Sequence, residues 1–126
     1  MPEQPLFEYA VIRVVPKVER EEFMNVGVIL FCRQKRYLGC KITLDEARLR
    51  AFSPTLDLEA LQAFVNGFEK TCRGEGPIGQ MDPASRFRWL TAMRSTVLQT
   101  SRVHPGLCSG PEDTLDRLHR ELVLQA

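Results

Sequence analysis

The sequence predicts a single α+β domain: an antiparallel meander of three strands and a fourth, late strand, packed with three to four helices. Three observations carry this reading. Two runs rich in β-branched and aromatic residues, "FEYAVIRVV" and "FMNVGVILFC", lie close together near the start. Apolar residues then change to steps of three and four in the middle and at the end of the chain. Finally, 126 residues, 44% apolar and 26% charged, are enough for one core and few for two, so residues 1–126 form one domain.

Taken in order, residues 1–6 read as a loose tail. Residues 7–15 and 23–32 are strands bounded by turn or charged residues, and "PKVERE" joins them. A simple hairpin would set Arg13 near Asn25 and Val11 near Gly27. "RQKR" is a second tight connection, leading to a third strand over 37–44. Asp45 caps a short helix, "EARLRAF", which Pro54 stops. In "DLEALQAFVNGFEKTC" a helical stripe runs through Leu58, Leu61, Phe64, Val65, Phe68 and Cys72. "RGEGPIGQMDP" reads as an exposed loop, and Asp82 with Pro83 opens the helix "ASRFRWLTAM", carrying Phe87, Leu90 and Met93 on one side. "TVLQTSRV" is the fourth strand and "HPGLCSGP" a loop. Ser109 and Glu112 have capping-box spacing before a last helix with Leu115, Leu118 and Leu122 along its buried stripe.

The totals exclude several classes. No apolar run approaches the roughly 18 residues of a membrane span, and the start lacks the charged-then-apolar pattern of a leader, so a cytoplasmic protein is expected. Cys32, Cys40, Cys72 and Cys108 form no C-x-x-C pair, and His104 and His119 complete no zinc pattern. Neither a metal nor another cofactor is expected, and the cysteines read as small core residues. A net charge of +1 gives no general attraction to polyanions, although Arg33, Lys35, Arg36 and Lys41 fall in one stretch without acids and Arg86, Arg88, Arg94 and Arg102 in another.

Candidate functional residues are polar groups in places where the pattern calls for apolar ones. Arg13 has apolar strand neighbours, and its guanidinium needs acceptors, which Glu22 or Asn25 could supply. Asn25 and Gly27 interrupt an apolar strand; a strand glycine marks a bulge or a close approach, here room for a large side chain from a packed helix. "RFRWL" interleaves Arg86 and Arg88 with Phe87 and Trp89, the chemistry of base stacking, yet on a helix both arginines can simply reach solvent. In "MRSTVLQTSRVHPG", Arg94, Ser95 and Thr96 gather donors at a helix-to-strand junction suited to an anion. His104 follows at the far end of the strand, over 20 Å away at roughly 3.3 Å per residue, so the two ends share a site only if the chain bends back.

"FMNVGVILF" and "RFRWLTAMRSTVLQTSRVHPGL" resemble an uncharacterised bacterial family, domain of unknown function 3037, from about Tyr9 to the final helix. The resemblance rests on Asn25 and Gly27 in the first block. In the second it rests on Arg86, Phe87, Trp89, Leu90, Thr91, Arg94, Ser95, Thr96, His104 and Gly106, with Met93 standing where a proline often precedes the arginine. It implies no known activity, cofactor or catalytic residue. Genes of such proteins often lie beside ones for proteins similar to the HipA toxin kinases, which suggests a protein partner. Three functions follow as expectations: a non-enzymatic accessory module binding a HipA-like kinase; an enzyme or sensor for a phosphorylated ligand, held by Arg94, Ser95 and Thr96 with His104 carrying protons; and nucleic-acid binding through the basic segments 33–41 and 86–102, with Arg86, Arg88 and a stacking Trp89.

Overall fold

In the computed structural model, which describes residues 4–124, β1 (Leu6–Val14), β2 (Met24–Cys32) and β3 (Tyr37–Ile42) form the antiparallel meander. β1 is the pivot. One of its edges carries β2; the other is shared by two short antiparallel strands, β4 (Leu98–Thr100) against residues 12–14 and β5 (His104–Leu107) against residues 6–9. The sheet therefore has five strands, with sequence-distant segments closing its far side.

Alternation along the strands sorts side chains between two apolar layers. Ala10, Ile12 and Val14 of β1, with Val26, Ile29 and Phe31 of β2, face α1 (Glu46–Phe52), α2 (Leu58–Cys72) and α4 (Pro83–Leu90), which contribute Leu49, Leu61, Val65, Phe68, Phe87 and Leu90. On the opposite face Phe7, Val28, Leu30 and Cys32 meet Leu115 and Leu118 of α5 (Pro111–His119) and Val123 of the π-helical turn that follows it. β2 is buried on both sides from Val26 to Cys32, which is why it reads as an almost unbroken apolar run.

Local signals place the early helices. The Asp45 carboxylate accepts from the Arg48 amide at 3.1 Å, and that of Asp57 from the Ala60 amide at 3.0 Å, each satisfying a donor that a helix start leaves orphaned. Gly74, at φ 91°, lets the chain leave α2, with its amide on the Thr71 carbonyl and the Glu75 amide on the Lys70 carbonyl. The stretch beyond is less open than its composition suggests. It contains α3 (Gly76–Gly79), a single turn, folded around Arg86, whose Nη1 donates to the Met81 carbonyl at 2.9 Å.

The structure corrects several boundaries. Residues 1–3 of the expected tail lie outside the described residues, but the Pro5 carbonyl accepts from the Cys108 amide and Leu6 pairs with Leu107. Arg13 does face Asn25, while Gly27 pairs with Ile12 instead of Val11, because the register shifts between Ile12 and Arg13. What approaches Gly27 is β3 itself: a Cβ there would lie 2.7 Å from the Lys41 carbonyl oxygen and 2.8 Å from the Ile42 side chain. The helix expected to run to Met93 ends at Leu90: Thr91 is the C-cap, with its amide and its hydroxyl, the latter at 2.8 Å, both on the Phe87 carbonyl, and Met93 stands 92% exposed. The late strand expected over residues 96–103 shortens to β4, and β5 occupies a segment predicted as loop. The cap of the last helix lies one residue after the expected one: Gly110 is the N-cap, Pro111 sets the first turn, and Ser109 makes no capping box.

Candidate functional site

A cleft of about 620 Å³ opens on the α2 and α4 face of the sheet. One wall is α2, where Ala60, Ala63 and Gly67 leave space and Phe64 stands at the rim. The other is the end of α4 and the segment running into β4, with Trp89, Arg94 and Thr96. Its floor is the first core, through Phe68, Leu90 and Leu98. Phe64 and Trp89 are 47% and 43% exposed, so two large rings stand in solvent beside an apolar hollow.

The early end of α4 places Arg94 in this cleft. Its guanidinium lies 4.1 Å from the centroid of the Trp89 ring and donates to the Trp89 carbonyl, an acceptor freed by the helix terminus. Burial lowers its pKa, so the charge is partly stripped of water, and among the described residues no carboxylate pairs with it. The other polar groups at this corner are already engaged. Thr96 Oγ1 donates to the Leu98 carbonyl at 2.7 Å, Gln99 Nε2 to the Thr96 carbonyl at 2.8 Å, and Thr100 Oγ1 to the Thr91 carbonyl at 3.4 Å. Ser95 is exposed and does not line the cleft. Of the expected anion-binding trio, Arg94 alone both lines the cleft and keeps donors for a guest.

His104 lies elsewhere. On β5 it pairs with Tyr9, their ring centroids 5.3 Å apart, and Tyr9 packs on the second core, the layer that carries α5. Arg94 and His104 therefore sit on opposite faces of the sheet, and His104 has no path to a ligand held by Arg94. The bend that was required does occur, but it carries the chain onto the other half of β1's edge.

Arg13 and Asn25 gather at a third place. The Arg13 guanidinium covers the Phe23 ring at 4.0 Å, and neither expected acceptor receives it: Glu22 pairs with Arg20 at 2.5 Å, and the Asn25 amide donates to the Leu122 carbonyl at 3.2 Å. Arg13 Nε and Asn25 Oδ1 are buried without a partner among the described residues. Asn25 and Phe23 line a smaller cleft of about 320 Å³ with Arg48 and Phe52. The nucleic-acid trio is likewise dispersed. Arg86 is turned inward to the carbonyls of Gly79 and Met81 instead of reaching solvent, Arg88 is exposed, and Trp89 belongs to the Arg94 cleft.

The apolar stripe of α2 includes Phe64 as a core residue and passes over the three small residues that shape the cleft. Phe64 is exposed although it sits at a stripe position, and the small residues Ala60, Ala63 and Gly67 mark a neighbouring stripe. That second set, spaced three and four apart beside an aromatic, is the signal in the sequence for a groove. Among the described residues the lining includes no histidine, cysteine, lysine or carboxylate, so these place no nucleophile beside a base there.

Fold and cleft define a small α+β domain with an apolar recess, guarded by two rings and one cation, on one face of a five-stranded sheet. A family model described as "Protein of unknown function (DUF3037)" matches residues 9–123, and the chain belongs to that family. No curated protein and no solved structure matches it.

Proposed function

We propose that the domain is a non-enzymatic accessory module that holds a partner protein in the cleft between α2 and α4. The observation that carries this reading is the exposure of Phe64 and Trp89 at the rim of an apolar hollow with Arg94 stacked on the indole. Trp and Arg beside a recess are the residue types that dominate binding energy at protein interfaces. A lining without any acid, base or thiol nucleophile supports binding over catalysis. The partner we propose is the HipA-like kinase suggested by the gene neighbourhood of similar proteins.

The test is to mix the purified domain with the neighbouring kinase-like protein and follow both on a sizing column. Co-elution is expected, and Phe64→Ser or Trp89→Ala, each checked for an unchanged circular dichroism spectrum, should weaken the complex at least about tenfold. Clean separation of the wild-type proteins, or an undiminished complex with both variants, would refute it. Turnover of a nucleotide or phosphate ester by the purified domain would instead favour the phosphorylated-ligand reading, with a proton carrier other than His104.

A further inference from the structure

We infer that the partner segment seated in the cleft presents a carboxylate to Arg94 beside an apolar side chain that fills the recess between Phe64 and Trp89. This rests on the protein-binding reading and specifies its chemistry. Among the described residues Arg94 is the single charged one of the lining, and it has no ionic partner there. A cation that has lost water without gaining a counter-ion is an electrostatic cost, which an incoming anion relieves. Charge complementarity thus selects an acidic occupant, and the apolar floor selects a hydrophobic neighbour to that acid.

The anion is a carboxylate and not a phosphate for three reasons. A phosphate dianion asks for several donors or a second cation, and no lysine or other arginine lines the cleft. Of the other polar side chains of the lining, those of Thr96, Gln99 and Thr100 are committed to main-chain carbonyls, which leaves among the described residues one neutral hydroxyl, that of Thr71 on α2, too few donors for a dianion. The guanidinium is also fixed in plane, by the indole beneath it and by the bond from one amino group to the Trp89 carbonyl. A planar fork held in this way suits the two oxygens of a carboxylate, and lysine would not reproduce it.

Trp89, the one tryptophan of the chain, reports directly on the cleft through its fluorescence. The probes are three capped hexapeptides: Ser-Leu-Phe-Glu-Leu-Ser, the same peptide with glutamine for glutamate, and the same with phosphoserine for glutamate. The wild-type domain should bind the glutamate peptide about tenfold more tightly than the glutamine one, the scale of a charge-assisted hydrogen bond. Arg94→Gln should erase that preference, and Arg94→Lys should restore only part of it. Equal binding of the acidic and neutral peptides, a preference that survives Arg94→Gln, tighter binding of the phosphopeptide, or no fluorescence response to any peptide would each overturn the inference. A complex with the kinase-like protein that Phe64→Ser breaks and Arg94→Gln leaves intact would sink the inference while the protein-binding reading stands. Peptide selectivity without any such complex would leave the carboxylate site and remove the kinase as its partner.

Discussion

His119 is 3% exposed in the interface of α5 with β3, its Nε2 3.0 Å from Thr43 Oγ1, with Lys41 of β3 and Asp116 of α5 as its charged neighbours. Burial pushes its pKa below the ordinary 6.5, the Lys41 charge adds to this, and Asp116 opposes it. The unfolded chain therefore binds a proton at a pH where the folded one does not. Stability is fully present above the unfolded value, falls as pH drops through 6.5, and flattens below the depressed folded value. Urea midpoints measured between pH 8 and pH 5 should show this slope, and His119→Gln should remove that share of it; parallel profiles for the two proteins would refute the assignment. The same scale shows what a lone sequence position cannot reveal. An arginine between apolar neighbours signals an unusual environment at Arg13, but the choice of Phe23 over Glu22 depends on where the β1 to β2 connection folds back.

Among the elements, β2 and β3 approach so closely at Gly27 that no side chain fits. Gly27→Ala would place a methyl group 2.7 Å from the main-chain oxygen of Lys41, an atom fixed in the sheet, and should cost about 1–3 kcal/mol in urea unfolding. An unchanged midpoint would mean that the bulge at Ile12 and Arg13 can absorb the methyl group. β5 illustrates why some elements escape pattern reading. His104, Pro105 and Gly106 have the composition of a turn, yet a proline is tolerated on an edge strand, and the glycine leaves room for the Phe7 ring, which comes within 2.5 Å of a would-be Cβ. Between β4 and β5 the ladder is bridged by a side chain: Ser101 Oγ accepts from the Val11 amide at 2.9 Å, and the Ser101 amide donates to the Val11 carbonyl at 2.8 Å. By contrast α1 was legible through its local cap, Asp45, and α2 through the spacing of its apolar stripe, both local in sequence.

At the scale of the molecule, β1 is paired along both edges and lies between two apolar layers, whereas the 93–96 segment at the cleft mouth lies outside both helix and strand. Hydrogen exchange should therefore rank them. Amides in the middle of β1 and β2, such as those of Ala10 and Ile29, should exchange only on global unfolding, and those of residues 93–96 should open first. Similar rates in the two regions would contradict this division of stability. A binding cleft bordered by a less stable segment beside a rigid sheet can adjust to a guest at small cost, consistent with the role proposed for it.

Composition, period and caps determined from the sequence alone that this is an α+β domain with a three-stranded meander and an amphipathic α2, because these depend on neighbours within a few residues of each other. Arg94 was legible as a candidate for a similar reason: it follows a helix terminus that residues 82–91 build between them. Tertiary structure alone decided that the late segment divides into β4 and β5 along one edge of β1, which sends Arg94 and His104 to opposite faces. Edge pairing joins residues about 90 positions apart, and no local pattern records which half of a strand is still free to accept them.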